Sequence, residues 1–228
     1  YCLHRYLLDE HLGGPEGLAA ARKALAERNI LLMLDFVPNH VALDHPWVVE
    51  HPEYFIQGDG DDLAERPGEF FETGGKVFAH GRDPYFPPWT DTVQLSAFSP
   101  GLRQGAIDTL GEISAQCDGV RCDMAMLVLP EVFERTWGRS SEPFWPKAIA
   151  HTKADHPEFL FMAEVYWDLE WDLQRQGFDY TYDKRLYDRL VNGNARTICW
   201  AVLPRTGWRR KGTRPGPGAG ADRPAGLP

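Results

Sequence analysis

No uninterrupted apolar stretch of about 18 residues occurs anywhere in this chain, which excludes a membrane-spanning helix. Positive charge is short as well. Twenty-four Lys and Arg stand against 33 Asp and Glu, a net charge of −9, so nucleic acid is excluded as a partner of the body. Cysteine is sparse: Cys2, Cys117, Cys122 and Cys199 sit at no metal-finger spacing. They read as free thiols of a reducing, cytoplasmic compartment and not as a disulfide framework. A glycine-rich phosphate turn after an early strand is missing, which argues against a doubly wound nucleotide-binding sheet. No His-x-His follows any strand, so a metal-dependent hydrolase built on Asp35 and His40 lacks its cluster of ligands. The first residue is Tyr1, not Met, and the lack of a signal peptide therefore decides nothing. What is present is enough apolar material, 43% of 228 residues, to fill one sizeable core.

The order of elements follows from periodicity. Gly14-Pro15 opens a helix whose Leu18, Ala21 and Leu25 mark an apolar stripe, and Asn29 ends it. Ile30–Leu34 is an unbroken apolar run, the pattern of a strand buried on both faces, and it ends at Asp35. Ser99-Pro100 caps a second helix carrying Leu102, Ala106, Leu110 and Ile113. Gly119–Asp123 is a short strand, 130–155 a helical region interrupted at Gly138-Arg139-Ser140, and Phe159–Ala163 a third apolar run ending in Glu164. A helical turn over Leu169–Gln176, a strand at Phe178–Tyr182 and a last helix with Leu186, Leu190 and Val191 complete the body. Strict alternation of strand and helix predicts a parallel sheet of βαβ units. Carboxylates at three strand ends favour a (β/α) barrel, whose chemistry sits at that edge.

Each carboxylate alone has an ordinary structural explanation, as a cap or an ion pair. Arg121 and Asp123 lie two apart on a strand and so share a face. Glycoside hydrolysis needs two carboxyls flanking one bond, one ionised and one holding a proton. The adjacent Arg121 is expected to lower the pKa of Asp123 and suit it to the ionised role. The apolar approach through Met162-Ala163 is expected to keep Glu164 protonated. Neighbouring strands lie about 4.8 Å apart, compatible with the roughly 5–5.5 Å carboxyl spacing of a retaining mechanism.

These stretches resemble the α-amylase family, glycoside hydrolase family 13, over about residues 1–195. Asp35–His40 is similar to the family's first motif, Gly119–Asp123 to its Gly-x-Arg-x-Asp nucleophile motif, and Ala163-Glu164-Val165 to its acid/base motif. Tyr1 with His11–Gly14 resembles the loop after the second barrel strand. The resemblance implies Asp123 as nucleophile, Glu164 as general acid/base, and Tyr1, Asp35, His40 and Arg121 as substrate-binding residues. The partner it implies is an α-linked glucoside or oligosaccharide, with hydrolysis and glucosyl transfer undistinguished. Calcium-dependent members bind that ion at the position of Asn39; one residue assigns no metal, and no cofactor is expected.

The fold implied is an incomplete TIM (β/α)8-type barrel holding about strands 3–6. Residues 41–98 form a loop-rich subdomain inserted after strand 3, with no evident structure of its own and many aromatics. Most of those are expected to fill its small core. The family's fourth motif, a His-Asp pair, has no counterpart. From Arg205 on, the chain is rich in Gly, Pro and Arg with Asp222 as the one acid, so 196–228 reads as a disordered or non-native tail. The alternative function is accordingly a truncated, inactive chain that at most binds sugar. Unpaired strands at both sheet edges would favour poor solubility, self-association and negligible turnover.

Overall fold

The computed structural model describes residues 2–193, so the expectations for Tyr1 and for 196–228 lie outside the described residues. Helix α1 spans Gly14–Ala26, with Pro15 in its first turn. Asn29 follows in a left-handed conformation, φ 57°. Of the expected stripe, Leu18 and Leu25 are half-buried, whereas Ala21 is exposed. Strand β1 is Met33–Phe36, not Ile30–Leu34. The shift has a local cause. Ile30 N–H returns to Leu25 O to close the helix turn, and the Asp118 carboxylate accepts Leu32 N–H at 2.7 Å. Strand pairing therefore starts only at Met33, and Leu31 is left 63% exposed.

The excursion after β1 is not a structureless loop. It contains β2 (His40–Ala42), α2 (Trp47–Glu50), β3 (Gln57–Gly58), α3 (Gly60–Glu65), β4 (Phe70–Thr73), β5 (Lys76–Ala79) and β6 (Thr92–Gln94). β2 pairs antiparallel with β6, and β3-β5-β4 form a second antiparallel sheet. Its strands were illegible because each is only two to four residues long, too short for an alternation to register. Val41, Val48, Phe55, Phe78, Val93 and Leu95 form its small core, on which Leu102 also packs. Trp47, Tyr54 and Phe71 lie against that core. Tyr85 and Phe86 are exposed.

The chain then returns through α4 (Pro100–Ser114), β7 (Gly119–Cys122), α5 (Pro130–Trp137), α6 (Trp145–Asp155), β8 (Leu160–Ala163), α7 (Glu170–Arg175), β9 (Tyr180–Thr181) and α8 (Lys184–Val191). Ser99 caps α4 through Leu102 N–H, and Gly138 ends α5 at φ 68°. The main sheet has the order β1-β7-β8-β9 with every pair parallel. Neighbours in sequence are thus neighbours in the sheet, as right-handed crossovers require. β9 is shorter than the Phe178–Tyr182 expected.

Alternation along these strands separates two faces. Phe36, Val120, Cys122, Phe161 and Ala163 face the helices and are fully buried, joined there by Ile107, Leu110, Trp145, Ile149 and Phe178. The opposite face carries Met33, Asp35, Gly119, Arg121, Leu160 and Met162, in register across the strands. Most of these are half-buried or exposed, so the strands are not buried on both faces as their apolar runs suggested. Gly119 is needed here: a Cβ on it would meet Leu160 O at 2.7 Å and Met33 Cε at 3.1 Å. At the far edge α8 has no buried residue, and Leu190 and Val191 are exposed.

Candidate active site

Register places the polar groups. Asp35 pairs with Arg121, and Arg121 with Met162. Two residues further along the same face come Asp123 and Glu164, just past the strand ends. Arg121 is the hub. Its Nη1 donates to Asp35 Oδ1 at 3.1 Å and to Asp123 Oδ1 at 3.0 Å, and its Nη2 donates to Glu164 Oε2 at 2.6 Å. One guanidinium thus serves three carboxylates, the bidentate fork geometry that Lys cannot supply. Two carboxylates bound to one guanidinium at these distances lie well inside the about 9.5 Å upper spacing of catalytic carboxyl pairs. Asp35 is the outermost of the three, with its side chain 65% exposed.

Glu164 is the most buried of the three and the most fully hydrogen-bonded. Besides Arg121 it accepts Met124 N–H on Oε2 at 3.0 Å and the Tyr166 hydroxyl on Oε1 at 2.6 Å. Presenting that N–H puts Met124 in a left-handed conformation, φ 41°, a strained backbone of the kind that collects at functional sites. Asp123 accepts from Arg121 and lies against Glu164. Burial pushes its carboxyl up to about 6, and the charge of Glu164 and a hydrogen bond with it act in the same direction. The pull of Arg121 is outweighed. Arg121 thus acts in the direction the sequence suggested, but burial and the neighbouring Glu164 raise Asp123 overall, against the expectation that it is lowered. An adjacent cation was visible in the sequence; the depth of burial and a second carboxylate alongside were not.

The sign of the consequence is definite. In the folded chain Asp123 holds its proton to a higher pH than in the unfolded chain, so stability falls as pH rises between about 4 and 6. Asp123→Asn removes that penalty. The variant should match the wild type near pH 4 and be more stable near pH 8 by an amount on the order of 3 kcal/mol, read by urea unfolding at both pH values.

Two tyrosines complete the cluster and were not foreseen. Tyr182 accepts from Arg121 Nε at 3.2 Å and lies under its guanidinium, 5.8 Å from the ring centroid. Tyr166 holds Glu164, with burial raising its phenol. No strand alternation names them, because both lie just past the strand ends, Tyr166 after β8 and Tyr182 after β9. His40 is buried in the excursion, its ring 5.1 Å from Trp89. Tyr1 lies outside the described residues.

Asn39 is buried. Its Oδ1 accepts Gln94 Nε2 at 2.9 Å, and no group of three or more His, Cys, Asp or Glu that could hold an ion occurs among the described residues. Cys117 and Cys122 are buried free thiols and Cys2 an exposed one. No described helix is long and apolar enough to cross a membrane.

No protein-family model and no curated protein matches this chain. Solved structures do. An α-amylase from Lactobacillus plantarum is 26% identical, with a TM-score of 0.58 over 85% of this chain and 43% of its own. An α-amylase from Geobacillus thermoleovorans, complexed with acarbose, is 22% identical with a TM-score of 0.56, over 81% of this chain and 37% of its own. An enzyme described as family GH13_31 is 17% identical with a TM-score of 0.62, over 81% and 41%. The parallel sheet with this order therefore matches part of the barrel of these α-amylase structures. The matches are to glycoside hydrolase 13 α-amylases, and the chain spans about two-fifths of their length.

Proposed function

We propose that this chain carries the nucleophile and the general acid/base of a retaining glycosidase or transglycosidase acting on α-linked glucans or glucosides. The observation that carries the reading is the sharing of Arg121 by Asp123 and Glu164 at adjacent strand ends. With all groups ionised, Asp35, Asp123 and Glu164 outweigh the one guanidinium, so the site is anionic where an oxocarbenium-like transition state develops positive charge.

Asp123, held by fewer donors than Glu164, is the carboxylate that turns an oxygen onto the anomeric carbon. Glu164 protonates the departing glycosidic oxygen, leaving a glycosyl ester on Asp123. It then takes a proton from the water that hydrolyses the ester, so the anomeric configuration is retained. If an acceptor hydroxyl takes the water's place, the same two carboxyls perform transfer. Tyr166 holds Glu164 in line. Arg121 aligns both carboxyls, with Asp35 and His40 as contacts for the sugar. Acarbose, named in one matched structure, supports an oligosaccharide-like ligand.

A second reading, a chain that binds sugar without turning it over, is favoured by one observation. The His-Asp motif has no counterpart in the sequence, and the chain spans about two-fifths of the length of the α-amylases it matches. Hydrolysis of an aryl α-glucoside followed by NMR separates the two. The first reading expects the α-anomer as initial product and loss of turnover in Glu164→Gln. The second expects saturable sugar binding with no release of the aryl group.

A further inference from the structure

Arg121 reaches every strand of the main sheet. Its acceptors are Asp35 on β1, Asp123 just past β7, Glu164 just past β8 and Tyr182 just past β9. Its two terminal nitrogens donate to carboxylates, and its Nε donates to the Tyr182 hydroxyl at 3.2 Å. Under the mechanism proposed above, two of these four acceptors change charge in each turnover. Asp123 becomes a neutral glycosyl ester and later an anion again, while Glu164 gives up a proton and recovers it. A charge-assisted hydrogen bond is roughly twice as strong as a neutral one. The hold of each catalytic carboxyl on Arg121 therefore weakens and returns within one cycle.

Asp35 and Tyr182 take no part in that exchange. The Asp35 side chain is 65% exposed, and an ion pair in such a setting holds little. Tyr182 is half-buried and packs against the main core. Its place is fixed from both sides along the chain. Tyr182 N–H donates to Ala163 O at 3.0 Å. The preceding Thr181 Oγ1 accepts from Gln174 Nε2 at 3.0 Å, and the following Asp183 accepts Leu186 N–H at 2.8 Å. Among these four acceptors, Tyr182 alone is both firmly seated and unchanged by the chemistry.

We infer that Tyr182 is a positioning residue, whose hydroxyl keeps the Arg121 guanidinium in one place while Asp123 and Glu164 exchange charge. It acts through Arg121 and not on the sugar. The need is greatest once Asp123 carries the sugar. Arg121 has then lost an ionised acceptor and must still align Glu164 for the incoming water. The inference rests on the proposed function for this role in turnover, but the anchoring itself can be measured without substrate.

The test has two arms on the full chain. In the first, NMR of the arginine side chains follows hydrogen exchange at Arg121 Nε. Asp123→Asn imitates the ester by offering the guanidinium a neutral oxygen, and should leave the exchange rate unchanged. Adding Tyr182→Phe, which keeps the ring, should raise the rate about ten-fold, as expected for losing one hydrogen bond to a charged group. Faster exchange in Asp123→Asn alone overturns the inference, and that result does not depend on whether Tyr182→Phe folds. No further rise in the double variant overturns it as well. In the second arm, turnover is measured on an aryl α-glucoside with a good leaving group, so that hydrolysis of the ester limits kcat. Tyr182→Phe should lower kcat about ten-fold and leave kcat/KM nearly unchanged, because kcat/KM ends at formation of the ester. Equal losses in both overturn the inference and leave Tyr182 a general support of the site. A wild-type chain without turnover refutes the proposed function, and the exchange arm alone then decides whether Tyr182 anchors Arg121.

Discussion

Arg121→Ala should destabilise the chain by about 3–5 kcal/mol at pH 7, the range seen when one partner of a buried ion pair is removed. Asp123 and Glu164 are both less than a quarter exposed, and both lose their guanidinium. Asp35, largely exposed, contributes little to the loss. The deficit should shrink as pH falls. Asp123, already pushed up to about 6, rises further without the cation, so the variant regains stability as that carboxyl takes up its proton. Arg121→Lys should recover only a fraction, because a single ammonium cannot bridge carboxylates on two strands. Urea unfolding at pH 7 and pH 4 checks each part. Equal losses at the two pH values would mean that Arg121 acts through packing and not through charge.

Trp145→Ala should cost about as much by a different route, 3–5 kcal/mol from the cavity left behind. The side chain is fully buried between the sheet and the helices. Its ring centroid lies 4.7 Å from Phe178, 5.0 Å from Phe144 and 6.4 Å from Phe36. Its Nε1 donates to Ala125 O at 3.0 Å, two residues past Asp123. The loss should therefore reach the Arg121 cluster as well as the core. Differential scanning calorimetry should show a drop in Tm on the order of 10 °C. Trp145→Phe should lose less than half of that, since it keeps ring contacts and gives up one hydrogen bond.

The pattern of the main sheet was legible because its signals are local. Each strand end announces itself by a carboxylate after apolar residues, and the two-residue spacing of Arg121 and Asp123 fixes their common face. Interactions between distant residues were not legible. Asp118 reaches across to Leu32 and delays β1 by three residues, which no periodicity of Ile30–Leu34 could reveal. The proton preference of Asp123 depends on a carboxylate 41 positions away in sequence. Tyr166 and Tyr182 were not legible either: both lie just past the strand ends, and only the folded chain shows what they hold.

The central claim is that Asp123 attacks the sugar while Glu164 works beside it as acid and base. It is tested most directly by treating the chain with a fluorinated α-glucosyl fluoride, whose good leaving group and slowed deglycosylation trap the covalent intermediate. Peptide mapping by mass spectrometry should find the glucosyl ester on the peptide containing Asp123, with the label absent from Asp123→Asn and formed only above about pH 6. An ester on Glu164 or Asp35, or no ester despite saturable sugar binding, would contradict the account.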